Sequence, residues 1–146
     1  MIMRGFMRLT SFTDYGLRML MKMASTPGQA LSTAEFAEEF QLSRHHLTKI
    51  MQKLAREGIV ETRRGIGGGA VLAKAPAKIR LGELIALLEE GQPLVECFDQ
   101  EGNHCTLDGR CKLKKQLRHA EQVFLRDLNR TTLADIALPS PTTPRK

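Results

Sequence analysis

Outside the segment Cys97–Cys111 the chain contains no cysteine at all, and within it there are three. An odd count of thiols cannot close a disulfide framework. Nor does any stretch approach the ~18 consecutive apolar residues of a membrane-spanning helix. The opening MIMRGFMRL has neither a long apolar core nor a small-residue cleavage site, so a secreted protein is not expected. These absences predict a cytoplasmic chain whose thiols stay reduced, with no membrane partner. Catalytic signatures are missing too: there is no phosphate-binding glycine loop, no nucleophile elbow and no HExxH pair, so no enzyme is expected. No internal repeat is present. Met1, Met3 and Met7 are all possible starts, which makes residues 1–6 a candidate dispensable extension.

What the chain does have is ordinary globular material with an uneven charge. Its 146 residues are 42% hydrophobic and 26% charged, enough for one domain with a modest core. Residues 1–80 hold 13 Lys/Arg against 6 Asp/Glu, a net +7, while residues 81–146 hold 9 against 10, a net −1. Basic charge confined to one half suits a polyanion-binding surface, although a solvated basic face would look the same.

The hydrophobic pattern predicts a mainly α-helical fold. Thr13 and Asp14 open a helix with the stripe Leu17, Leu20, Met21 and Ala24, which Pro27-Gly28 ends. Ser32 and Glu35 form a capping box on a short helix that buries Phe36, Ala37 and Phe40. After the turn Gln41-Leu42-Ser43, Ser43 caps a third helix with the inner stripe Leu47, Ile50, Met51 and Leu54, stopped by Gly58. Residues 59–63 and 70–72 read as strands around the glycine-rich turn Arg64–Gly69. Together these elements describe a winged helix-turn-helix domain over residues 7–80, with a small β-hairpin as the wing. Residues 81–131 follow as an amphipathic helix (Leu81, Leu84, Ile85, Leu88), the cysteine loop and a long helix. The long helix carries Leu113, Leu117, Ala120, Phe124 and Leu128 on one face, and a small domain leaves few surfaces to cover it, so it is expected to mediate dimerisation. Residues 132–146 are expected to form a short helical turn capped by Thr132 and a disordered tail from Pro139.

With its apolar stripe turned inward, the third helix should offer Arg44, His45, His46, Lys49, Gln52 and Lys53 to solvent. Such a helix presents its N-terminal part to base edges in the major groove of double-stranded DNA. Ser43 and Arg44 would stand nearest the bases, with Arg44 suited to guanine, and His45 and His46 could meet bases or phosphates. Lys49 and Lys53 suit phosphates. Arg63 and Arg64 near the hairpin tip could enter a minor groove.

The thiols are spaced Cys-x7-Cys-x5-Cys in CFDQEGNHCTLDGRC. Thiols gathered in one polar loop point to metal ligation, yet the paired Cys-x2-Cys knuckles of a four-cysteine zinc site are missing. Wider spacing lets a loop wrap a larger object such as an iron–sulfur cluster. The helix start and Lys112, Lys114 and Lys115 would stabilise thiolate or an anionic cluster. A zinc module using Cys97, His104, Cys105 and Cys111 is the competing reading, and three inert loop thiols the plainest one.

Four segments, MRLTSFTDYGLRMLM, LSRHHLTKIMQKLAREGIVETRRGIGGG, LGELI and ECFDQEGNHCTLDGRCKLKKQLRHA, occur in the order found in a known family. From about Met7 to Leu138 the chain resembles the NsrR family of nitric-oxide-sensitive repressors, winged-helix iron–sulfur proteins related to the cluster-biogenesis regulator IscR. The resemblance implies a homodimer that binds operator DNA and senses nitric oxide, nitrosylation releasing it from the operator. It implies a [4Fe–4S] cluster on Cys97, Cys105 and Cys111, with a carboxylate from the first helix of the other subunit as fourth ligand. Asp14 occupies that position here; it is also an acid well placed for the helix dipole. IscR-like members, which sense cluster supply or redox state, carry a histidine three residues after the last cysteine, where this chain has Lys114. Related repressors with [2Fe–2S] centres leave nuclearity open, and His104 and His119 stand as further candidate ligands.

Overall fold

The computed structural model describes residues 8–139. The expectations for residues 1–6, and for the tail beyond Pro139, lie outside them. Five α-helices and one two-stranded antiparallel sheet make up the described residues: α1 (Ser11–Ser25), α2 (Thr33–Phe40), α3 (Arg44–Arg56), β1 (Val60–Arg63), β2 (Gly69–Leu72), α4 (Leu81–Leu88) and α5 (Lys112–Leu128). No helix among them is long and apolar enough to cross a membrane. The fold is a winged helix-turn-helix.

Two compact units divide the chain. The first holds α1, α2, α3 and the hairpin. Helix α1 begins two residues before Thr13, because Thr10 is its N-cap and its hydroxyl accepts the Thr13 N–H at 3.3 Å. Thr13 itself is fully buried, and its hydroxyl accepts a hydrogen bond from that of Thr10 at 3.2 Å. The capping box forms as expected: Ser32 Oγ accepts the Glu35 N–H, and Glu35 accepts the Ser32 N–H at 2.6 Å. That backbone bond, with the hydroxyl bond beside it, lowers the Glu35 carboxyl below its usual range. Gln41 turns the chain from α2 toward α3 in the left-handed region, with φ of 55°. Leu47, Ile50, Met51 and Leu54 are the buried residues of α3. Each such aliphatic side chain stabilises the core by about 1.5–3 kcal/mol relative to exposure, so the outward direction of the helix's polar residues is strongly set.

The wing is fastened to this core. Val60 pairs with Leu72 and Arg63 with Gly69, and Ala70 forms a further bridge with Leu31 just before α2. Gly69 is needed there, since its φ is +150° and a Cβ would collide with the Leu31 backbone. The segment after Thr131 also belongs to this unit. Leu133 is fully buried and donates its N–H to Ile79 at 2.8 Å, and Leu138 donates to Met21 at 3.2 Å. Residues 132–139 are therefore part of the winged unit, although their few apolar positions gave no sign of this. The N-cap of the short turn Ala134–Ile136 is Leu133, without a side-chain cap, and Thr132 instead donates both its N–H and its hydroxyl to Asp135.

The second unit, Arg80–Thr131, is built on the packing of α4 against α5. Arg80, the N-cap of α4, makes no side-chain cap. The carboxamide of Asn129 does so instead, accepting the Glu83 N–H at 2.8 Å, while Arg80 donates to the Asn129 carbonyl at 2.9 Å. Gly82 permits the approach, because a Cβ would run into the Leu125 carbonyl and the Asn129 side chain. Leu84, Ile85 and Leu88 are buried, whereas no residue of α5 is. Leu113 is 62% and Val123 44% exposed.

Candidate DNA-reading surface and cysteine loop

Ser43 is the N-cap of α3 but makes no side-chain cap bond, which leaves its hydroxyl available at the exposed end of the helix. Arg44, His45, Lys49 and Gln52 are exposed on the outer face, as the stripe requires. No acid lies in the first turn of α3 to oppose a phosphate. Two expected residues are less open. Lys53 and His46 are half-buried. The His46 ring meets Tyr15 of α1 edge-on, with centroids 5.5 Å apart, which leaves it less free to reach a base.

Arg18 lies over the same Tyr15 ring at 5.5 Å and is paired with Asp14, Nη2 to Oδ2 at 2.8 Å and Nε to Oδ1 at 3.3 Å. A line of side chains thus runs from Asp14 through Arg18 and Tyr15 to His46 of α3. The i,i+4 spacing of Asp14 and Arg18 is visible in the sequence. The Tyr15–His46 contact joins two helices, and nothing in the periodicity signals it. Asp14 is half-exposed, and an exposed i,i+4 pair is worth only about 0.3–0.5 kcal/mol, so its carboxylate is readily given up to a stronger partner. On the wing, Arg63, Arg64 and Ile66 are all exposed, the last fully so.

If α3 reads DNA as its outer face suggests, Arg44→Ala should relax sequence preference while Lys49→Ala weakens binding to every sequence. A base-directed guanidinium carries about 1–3 kcal/mol of discrimination, and one lost phosphate contact lowers the salt slope by about 1. Titrations of operator and random DNA at several salt concentrations measure both; equal losses on the two DNAs for Arg44→Ala would show that it reads no base.

The three cysteines are free, half-buried thiols of the second unit. Cys97 lies in the 3₁₀ turn Glu96–Phe98, Cys105 opens a turn, and Cys111 is the N-cap of α5. Polar contacts brace their surroundings. Glu96 accepts the His104 N–H at 2.8 Å, and Asn103 accepts the Cys105 N–H at 3.0 Å while donating to Asp108 at 2.6 Å. Lys114 of α5 donates to Asp108 at 2.5 Å. This bond, ahead of smaller contributions from Asn103 and Gly109, holds the Asp108 carboxyl below its usual range. The Arg118 guanidinium lies 4.4 Å above the Phe98 ring. No thiol takes part in any hydrogen bond among the described residues, and His104 and His119 have exposed side chains.

Three soft, unpaired thiol donors in one polar segment fit the chemistry of an iron–sulfur group or a thiophilic metal. They share a segment without meeting at a point. Among the described residues no three His, Cys, Asp or Glu side chains are placed to hold one metal ion, so neither the three-cysteine set nor the zinc set with His104 is assembled.

The profile of the Rrf2 family, iron-dependent transcriptional regulators, matches residues 9–138. The chain belongs to this family. It is 41% identical over 133 residues to the HTH-type transcriptional regulator NsrR of Shouchella clausii, covering 90% of this chain and 89% of that one. The corresponding regulator of Halalkalibacterium halodurans is 42% identical over 131 residues, covering 89% and 90%. Among solved structures, CymR, the global cysteine regulator of Bacillus subtilis, superposes with a TM-score of 0.71 at 28% identity, covering 90% of this chain and 97% of that one. Membership makes the chain a DNA-binding transcriptional regulator, not an enzyme, and accounts for the basic winged unit.

Proposed function

We propose that this Rrf2 regulator is a homodimeric repressor that senses nitric oxide through an iron–sulfur cluster, a [4Fe–4S] centre in the first instance. The observation that carries the reading is the set of free thiols Cys97, Cys105 and Cys111, confined to one loop of a chain about two-fifths identical to NsrR regulators along nearly its whole length. Those thiols would hold three irons, and Asp14 of the partner subunit the fourth. When bound, the cluster would supply iron that reacts with nitric oxide.

The chain's own residues do the rest. Helix α5 buries none of its residues and exposes Leu113 and Val123, which supports a second copy of the chain covering it. Asp14 leaves only an exposed ion pair to act as a ligand. A carboxylate bridging from one subunit's α1 to the other's loop would tie the two recognition helices to a fixed separation, and its release would free them. Arg18, Tyr15 and His46 connect the same Asp14 to α3 within its own subunit.

An IscR-like sensor is a weaker second reading, because Lys114 stands where that group places a histidine and is engaged with Asp108. Anaerobic purification with iron, sulfide and zinc quantitation tests the proposal. Brown protein with iron and sulfide, whose spectrum changes on addition of nitric oxide, is expected. Colourless protein containing one zinc per chain would replace the proposal with the zinc-module reading.

A further inference from the structure

The contacts around the cysteines form a closed ring. Glu96, next to Cys97, binds the backbone of His104, next to Cys105. Asn103 bonds the Cys105 N–H and passes on to Asp108. Asp108 is held by Lys114, in the first turn of the helix that Cys111 caps. Arg118, one turn further along α5, returns to Phe98, next to Cys97. Each cysteine's neighbours are thus fastened to those of the next, and no thiol is spent in doing so.

Resting on the iron–sulfur reading above, we propose that Glu96, Asn103, Asp108, Lys114, Phe98 and Arg118 are positioning residues: a metal-independent frame that retains the cluster by keeping the three thiols close. Ordering each loop residue costs backbone entropy, so an unbraced fifteen-residue segment would set a large cost against ligation. The frame meets part of that cost before any metal arrives. The fastenings hold backbone and neighbouring side chains and leave the thiols themselves unbound, so closing three thiolates on a cluster falls to the cysteine side chains and the short stretches between fastenings. The frame also gives Lys114 a role: its ammonium joins the turn after Cys105 to the helix after Cys111.

The test uses the full chain in two states. In metal-free protein, amide exchange at His104 and Cys105 should quicken about three- to tenfold in Lys114→Met and in Arg118→Gln, as expected when one surface fastening of a locally opening segment is lost. In anaerobically loaded protein, the same variants should release iron to a chelator faster by a similar factor, with the thermal unfolding of the metal-free protein unchanged. Lys114→Arg, which keeps a cationic donor for Asp108 while Asp108 goes on accepting from Asn103, should release iron as slowly as wild type, which separates loss of this contact from a general loss of stability. Release as slow as or slower than wild type in either Lys114→Met or Arg118→Gln, or fast release in Lys114→Arg, would overturn the frame while leaving the cluster reading intact. Wild-type protein that takes up no iron and sulfide would overturn both.

Discussion

Cys97→Ala, Cys105→Ala and Cys111→Ala should each leave a folded protein with essentially no retained iron or sulfide. The three side chains are half-buried in loop, turn and cap positions and contribute nothing to the buried hydrophobic cores, so each substitution belongs to the class that usually moves stability by no more than about 0.5 kcal/mol. Ligation is less forgiving. A three-thiolate site deprived of one member keeps two, and the histidines nearby in sequence, His104 and His119, are exposed and not gathered with the remaining thiols. Asp14→Ala should behave differently. A carboxylate is a harder and weaker partner for cluster iron than thiolate, so the variant should keep iron and sulfide through the three cysteines, with a changed spectrum and changed kinetics toward nitric oxide. Metal and sulfide analysis beside far-ultraviolet circular dichroism measures both outcomes. A full complement of iron and sulfide in any cysteine variant would remove that residue from the ligand set, and an Asp14→Ala protein identical to wild type would return Asp14 to its pairing with Arg18.

Local rules carried the winged unit a long way. The stripe Leu47, Ile50, Met51 and Leu54 is buried as its spacing requires, and the Ser32–Glu35 capping box forms with both of its bonds. Each depends on residues three or four apart, where helical periodicity acts directly. The start of α1 is less legible: the stripe places it at Thr13, whereas the helix begins two residues earlier, capped by Thr10 through part-buried hydrogen bonds with Thr13 that no apolar period announces. What joins distant segments was not legible. Asn129 caps α4 from 46 residues away, and Leu133 returns to the winged unit from beyond α5. The exposed outer face of α3 follows from its buried stripe, except that packing on Tyr15 leaves His46 half-buried. The cysteines announce themselves by confinement, whereas the ring of contacts around them joins side chains up to twenty residues apart, Phe98 with Arg118, through a loop that has no period to read.

The largest functional effect should be loss of operator binding when the tether between subunits is broken. Two recognition helices held by a dimer must match half-sites about 34 Å apart, or a multiple of that spacing. Asp14 shared with the partner's cysteine loop would fix their separation, and within each subunit the Asp14–Arg18–Tyr15–His46 line ends on α3. Releasing Asp14 would therefore affect both the spacing of the heads and the packing behind one of the helices. A coupling free energy of about 3 kcal/mol, within the ordinary range for allosteric proteins, corresponds to an affinity loss of about 150-fold. Dimer dissociation is not required if α5 mediates the dimer along its length, because exposed Val123 lies twelve residues beyond Cys111 and far in sequence from Asp14.

Operator affinity, measured at one fixed salt concentration for cluster-loaded, nitrosylated and metal-free protein, with the mass of each species recorded alongside, tests the sensor most directly. The expected result is tight binding by the loaded dimer alone, weaker by about two orders of magnitude in the other two states, all three remaining dimeric. Equal affinity in the three states would contradict the sensor, even if iron and sulfide were present in full.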